Sequence, residues 1–129
     1  MKRKVLLIDD DQDLLRSFHI NLEIIGYEVT TATDSEEGLK SLKKEKPDII
    51  ILDVMMKTNL EGYNFLHKIK EEPEYKMIPV LLLTGMTDQI GVNLYSVVED
   101  VKALPNVRFQ DKPIPPIKLV EIIEDMIKE

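Results

Sequence analysis

Cysteine is absent from this sequence of 129 residues, which excludes a disulfide framework and any thiolate metal site and fits a reducing compartment. Long apolar runs are absent too: none approaches the roughly 18 consecutive apolar residues of a membrane span. The start, Met1-Lys2-Arg3-Lys4 followed by four apolar residues and three aspartates, lacks the apolar segment and cleavage site of a signal peptide. The cytoplasm is the expected location, with no membrane partner. Basic charge is in deficit, with 17 Lys and Arg against 24 Asp and Glu and a net charge of −7. Sequence-independent binding of nucleic acid rests on clustered cations, so no direct nucleic-acid contact is expected. The one basic cluster, Lys40, Lys43, Lys44 and Lys46, falls at the end of a predicted helix, where cations complement the dipole. Histidine is scarce: His19 and His67 lie on predicted helices without a second ligand at metal-binding spacing and read as structural or surface residues. The methionines are scattered at core-like positions and carry no cofactor role.

Against these absences, hydrophobic residues make up 43% of the chain and charged residues 32%, a balance that favours a globular core over disorder. One domain is expected at this length. Val5-Leu6-Leu7-Ile8, Ile49-Ile50-Ile51-Leu52 and Val80-Leu81-Leu82-Leu83 are apolar at every position, which suits strands of a parallel sheet covered on both faces. Each run ends in a polar residue suited to phosphoryl chemistry: Asp9-Asp10-Asp11, Asp53 and Thr84. Lys112-Pro113 adds a fourth such point. Parallel sheets bind ligands outside the carboxyl ends of their strands, so the pattern predicts three carboxylates, a hydroxyl and an ammonium at one edge.

Apolar runs alternate with helix-period segments, five of each, and that order predicts an α/β fold with a parallel sheet and helices on both faces. Leu14, Leu15, Phe18, Leu22 and Ile25 recur at helical spacing after the first strand, with Asp11 as cap, Asp13 in the first turn and Gly26 as the stop. Tyr27 to Ala32 makes the second strand. Asp34 followed by Glu37 resembles a capping box, opening a helix that Pro47 terminates. The third strand runs from Asp48 to Leu52, and a loop from Val54 to Glu61 leads to Gly62. The next helix carries Phe65, Leu66 and Ile69 and stops near Pro73, before a fourth strand from about Ile78 to Leu83. Ile90, Leu94, Val97, Val98, Val101 and Leu104 form one stripe of a fourth helix that Pro105 closes. A short fifth strand, Val107 to Phe109, precedes a last helix after Pro115-Pro116, with Leu119, Ile122, Ile123, Met126 and Ile127 on its buried side.

Asp9, Asp10 and Asp53 at neighbouring strand ends set like charges about 5 Å apart, where each pair repels by about 3 kcal/mol at an effective dielectric near 20. A cation must relieve this, and hard oxygen ligands with no His or Cys nearby suit Mg2+. One carboxylate can then be a nucleophile that forms aspartyl-phosphate, once a metal and positive groups neutralise the phosphoryl oxygens. Asp53 is the best placed, standing alone at the end of the most apolar strand and leaving Asp9 and Asp10 to share the metal. Lys112 would pair with one phosphoryl oxygen and the Thr84 hydroxyl would hydrogen-bond another. Asp11 and Asp13, by contrast, read as helix-capping charges.

An acidic pair after the first strand, an aspartate ending the third, Thr or Ser ending the fourth and Lys-Pro after the fifth is the order found in receiver domains of two-component response regulators. Asp9-Asp10, Asp53, Thr84 and Lys112-Pro113 resemble that set over essentially the whole chain. The resemblance implies a flavodoxin-like doubly wound (βα)5 fold with five parallel strands in the order 2-1-3-4-5, and a single receiver domain over residues 1–129 with no output domain. It implies that Asp53 accepts a phosphoryl group, with Mg2+, from the phosphohistidine of a sensor histidine kinase or histidine phosphotransfer protein. The result is a phosphorelay switch of protein–protein interactions, not an enzyme, although the domain promotes its own phosphotransfer and dephosphorylation. By the same resemblance Asp10 ligates Mg2+ directly, Asp9 does so largely through water, and the Met55 backbone carbonyl completes the protein ligands with Asp53. Thr84 and Phe109 form the switch, the hydroxyl moving to the phosphoryl group and the aromatic ring turning inward. The Lys112-Pro113 bond is expected to be cis.

The chain departs from the family pattern in two places. Lys57 stands where the loop Met55-Met56-Lys57-Thr58-Asn59-Leu60-Glu61-Gly62 usually has proline, and its glycine comes about one residue late. The stretch between Thr84 and Lys112 is long and reads Leu104-Pro105-Asn106-Val107 in place of Gly-Ala-Asp, which predicts an extended fourth helix. The fourth and fifth helices are the surface expected to meet an unidentified downstream protein or a second copy in a homodimer, and Val92 and Tyr95 fall off the buried stripe there. Met55 and Met86 are apolar and cannot orient an attacking water, so slow loss of the phosphoryl group is expected. Two other functions compete: a phospho-independent receiver-like interaction module, and a Mg2+-dependent phosphohydrolase with an aspartyl-phosphate intermediate. A chain this short has little room for the pocket and cap of the second.

Overall fold

A computed structural model describes residues 2–53, 61–84 and 104–128. The Met55 carbonyl ligand, Met86, Val92, Tyr95 and the expected helical stripe from Ile90 to Val101 lie outside the described residues. In chain order the described elements are β1 (Lys4–Ile8), α1 (Gln12–Ile25), β2 (Glu28–Ala32), α2 (Ser35–Lys44), β3 (Ile49–Asp53), α3 (Glu61–Lys70), β4 (Val80–Thr84), β5 (Val107–Asp111) and α4 (Pro116–Ile127). The five strands form one sheet in the order β2-β1-β3-β4-β5, and every neighbouring pair is parallel.

Alternation within the apolar runs sets the layers, because successive strand residues point to opposite faces. Leu6, Ile8, Ile50, Leu52, Val80 and Leu82 pack on one face with Leu42 of α2 and Phe65, Leu66 and Ile69 of α3. Val5, Leu7, Ile49, Ile51, Leu81 and Leu83 pack on the other with Leu15, Phe18 and Leu22 of α1 and Leu119, Ile122 and Ile123 of α4. Both faces are covered, which is why these strands carry no polar residue before their ends.

The helix ends follow local chemistry with small corrections. Asp11 caps α1 by accepting the Leu14 N–H at 3.1 Å, and Gly26 closes it at φ 116°, a left-handed conformation that glycine adopts without Cβ strain. Ile25, expected on the buried stripe, is half exposed, because it lies beyond Leu22, the last α1 residue buried in the core. Asp34 caps α2 through the Glu37 N–H at 2.8 Å. Glu37 does not return the bond to Asp34 but accepts from Thr33, one residue earlier, at its N–H (2.8 Å) and hydroxyl (3.0 Å). Glu61, expected in a loop, is the first residue of α3, and β5 continues past Phe109 to Asp111. Asn106, in the turn before β5, takes a positive φ of 57°, a conformation Asn tolerates better than other side-chain residues. Its side chain donates to the Met77 carbonyl at 2.8 Å.

Candidate functional site

β1 and β3 are adjacent inner strands, with Ile8 opposite Leu52, so Asp9 and Asp53 arrive side by side at the carboxyl edge of the sheet. Both are buried, at 4% and 5% exposure, whereas Asp10 is exposed. One carboxylate oxygen from each of Asp9, Asp10 and Asp53 lies within 4.8 Å of the others. The Lys112 ammonium enters from the end of β5, 2.9 Å from Asp9 Oδ2 and 3.5 Å from Asp53 Oδ2. Its backbone is held in turn, the Lys112 N–H donating to the Thr84 carbonyl at 2.8 Å. The Lys112-Pro113 peptide is cis.

Asp9 is fixed from three sides. Its N–H donates to the Ala32 carbonyl at 3.1 Å, Oδ1 accepts the Asp11 N–H at 3.0 Å, and Oδ2 takes the lysine. Asp11, read from the sequence only as a helix cap, therefore also orients Asp9, and its place two residues after an aspartate was the available signal. Thr84 ends β4, buried at 2% exposure and in register with Asp111. Asp53 is in register with Leu83, so the hydroxyl and the carboxylate come from adjacent strands. Phe109 is half-buried, opposite Leu82, and packs against the core on the α2 and α3 face.

The electrostatics of the cluster are uneven. Burial alone pulls the Lys112 ammonium down, but the Asp53 charge and the bond and charge of Asp9 outweigh it and hold the group above the usual lysine value. Burial and then the Asp9 charge push the Asp10 carboxyl above its ordinary value, with a backbone hydrogen bond at Asp10 and then the Lys112 charge only partly offsetting them. Among the described residues, three carboxylates meet one ammonium in the cluster, an excess of negative charge. The donors are all oxygen, and neither histidine belongs to the cluster. That set fits a small hard divalent cation such as Mg2+, which takes one or two carboxylates and keeps several waters.

A doubly wound parallel sheet with an acidic cluster and a lysine at its carboxyl edge defines a class of phosphate-handling α/β domain. The response regulator receiver domain family matches residues 5–124, and the chain belongs to that family. It is 38% identical over 89 residues to the alkaline phosphatase synthesis transcriptional regulatory protein PhoP of Bacillus subtilis, covering 69% of this chain and 36% of that protein. It is 35% identical over 88 residues to the transcriptional regulatory protein AfsQ1 of Streptomyces coelicolor, covering 68% of this chain and 37% of that protein. The chain thus matches about a third of the length of these curated relatives. The chemotaxis protein CheY4 of Vibrio cholerae superposes with a TM-score of 0.83 at 29% identity, covering 98% of this chain and 99% of that one. Receiver domains of two-component systems act between histidine kinases and downstream effectors and generally bind Mg2+ at an acidic pocket. No helix among the described residues is long and apolar enough to cross a membrane.

Proposed function

We propose that Asp53 is the phosphoacceptor of this receiver, taking the phosphoryl group from a phosphohistidine on a sensor histidine kinase or histidine phosphotransfer protein. The observation that carries the reading is the Lys112 ammonium standing between Asp9 and Asp53, 2.9 and 3.5 Å away, beside a third carboxylate. A carboxylate oxygen of Asp53 attacks phosphorus, a P–O bond forms as the P–N bond to the imidazole breaks, and the imidazole leaves with the electron pair and gains a proton from solvent. Asp10 and Asp53 directly, Asp9 through water and the Met55 carbonyl are the residues that would hold Mg2+, which when bound offsets the negative charge of the phosphoryl oxygens. Lys112 neutralises a further phosphoryl oxygen, and its backbone bond to Thr84 keeps that hydroxyl at the same edge.

In this reading residues 1–129 act as one receiver unit that signals by protein contact. Thr84 and Phe109 form the switch, and the chain is a phosphorylated signalling domain that catalyses only its own phosphoryl gain and loss. The relatives are transcriptional regulators, so an output that acts on transcription is one destination for the signal. The test is intact-mass analysis after incubation with phosphoramidate and Mg2+. Wild type should gain one phosphoryl group and Asp53→Asn should gain none; uptake by the variant, or none by folded wild type, would sink the assignment.

A further inference from the structure

β2 forms one edge of the sheet and pairs only with β1 among the described strands. The Glu28 N–H donates to the Arg3 carbonyl at 2.9 Å and the Ala32 carbonyl accepts from the Asp9 N–H at 3.1 Å, both in the direction of β1. Backbone groups of successive strand residues point to alternate sides, so Val29 and Thr31 direct their N–H and C=O outward. Glu28, Thr30 and Thr31 are exposed, so neither α1 nor α2 closes over this edge. The strand reads Glu-Val-Thr-Thr-Ala, without the proline or lysine that blunts many sheet edges.

The helix beside this edge carries opposite charges at its two ends. α2 starts at the carboxyl end of β2 and runs back to the amino end, with Glu36 and Glu37 in its first turn and Lys43 and Lys44 in its last. The flank that borders β2 has the same order of charge. Glu37 reaches Thr33, just past the strand, whereas Ser41 and Lys44 line a cavity with Glu28 and Thr30. Among the described residues no ion pair joins Lys44 to a carboxylate. A second copy turned by a half-rotation about Thr30 complements both patterns. Val29 then lies opposite Thr31 of the second copy, and each such pair exchanges both of its N–H···O bonds. Thr30 meets its own mate, and Lys44 runs alongside Glu37 of the second copy.

We propose that β2 is a self-association edge, at which two copies pair antiparallel and join their sheets into one, with α2 of each copy lying antiparallel to α2 of the other. The occupant is a second copy because the charge order of α2, acidic then basic, complements itself under this rotation. The surface is the edge opposite β5, and the proposal stands whether or not Asp53 is the phosphoacceptor. It also gives the lysines at the end of α2 a partner, which the acidic site does not.

The register can be tested directly, because the chain has no cysteine and Thr30→Cys introduces a single thiol on the two-fold axis. A non-hydrogen-bonded antiparallel pair holds its Cα atoms about 4.5 Å apart, within the span of a disulfide. Under copper phenanthroline, Thr30→Cys should cross-link about tenfold faster than Glu28→Cys, which is exposed on the same strand but faces Ala32 of the second copy. In analytical ultracentrifugation, wild type should show a reversible monomer–dimer equilibrium over a series up to about 1 mM. Thr31→Pro removes an outward N–H while leaving the β1 ladder intact, and should weaken association by about tenfold. Lys44→Glu should weaken it by about threefold. Should Thr31→Pro fail to fold, the cross-linking comparison and Lys44→Glu decide. A wild type that stays monomeric across the series, or a Thr30→Cys protein that cross-links no faster than Glu28→Cys, would overturn the proposal and leave the edge to a strand of another protein. A dimer unchanged by folded Thr31→Pro would overturn it as well, moving the contact to another surface.

Discussion

Lys112 and Lys70 both carry an ammonium group into the protein, one among carboxylates and the other among carbonyls. Lys112 is held above the usual lysine value by its acidic neighbours in spite of burial. Lys70, at the end of α3 and only 5% exposed, donates to the carbonyls of Lys76 at 2.8 Å and Ile78 at 2.7 Å. No carboxylate pairs with it among the described residues. Burial lowers its pKa to about 8, because partial charges on carbonyls replace only part of the hydration that an ammonium loses. The sign of the consequence follows from linkage. Between about 8 and the ordinary lysine value the unfolded chain holds a proton that the folded chain has released, so this group makes stability rise with pH across that window. Lys4 and Lys112, both raised, act at higher pH with the opposite sign, so the comparison must be differential. Denaturant unfolding of wild type and Lys70→Met at pH 7.5 and 9.5 should show the difference moving in favour of wild type by about 1–2 kcal/mol. A difference that stays flat with pH would mean that Lys70 keeps its proton in the fold.

At the scale of the elements, α2 approaches β1 at the residue before the acidic pair. A Cβ on Gly38 would lie 2.7 Å from Ile8 Cδ1, 3.3 Å from Ile8 Cγ1 and 3.5 Å from Phe65 Cζ. Two effects compete in Gly38→Ala. Removing glycine from a helix interior gains about 0.5–1 kcal/mol, whereas forcing an extra carbon into a packed contact costs about 1–3 kcal/mol. The clash wins, giving a net loss of about 1 kcal/mol, small because the nearest atom is the end of a side chain and not backbone. Ile8→Val deletes that atom at a cost of about 0.5–1.5 kcal/mol of its own. The double variant should therefore be less destabilised than the two losses summed, since the contact is shared. Strictly additive midpoints in denaturant would contradict this account of the α2–β1 contact.

Over the whole molecule, the sheet and its acidic edge were readable from sequence because the inner strands β1, β3 and β4 are apolar on both faces until they reach the carboxyl edge, where Asp9, Asp53 and Thr84 interrupt the pattern. The contacts that went unread are those whose residues look ordinary in isolation. Glu61 resembles any acidic residue at a helix start, its partner Ser35, whose hydroxyl donates to it at 2.8 Å, is distant in the chain, Lys70 resembles a basic helix end, and Gly38 resembles a tolerated helix glycine. The same sheet dictates how a cation reports on stability. Asp9 and Asp53 leave from β1 and β3, both inner strands, so the site is lost only when the sheet itself opens, and a ligand there stabilises the global fold. At about 100 times its Kd, Mg2+ should add about 2.7 kcal/mol, a rise in Tm of roughly 10 °C. Amides of β1 and β3 should slow in hydrogen exchange by the matching factor. Burial and the Asp9 charge raise the Asp10 pKa, so in chelator the contribution of Asp10 to stability falls as pH rises through the range just above ordinary carboxylates. Asp10→Asn lacks that loss and the ligand together: it should melt higher than wild type in chelator at pH 7 and respond little to Mg2+. Equal Mg2+ shifts in the two proteins would move the cation away from Asp10 and leave the raised carboxyl without a role in metal binding.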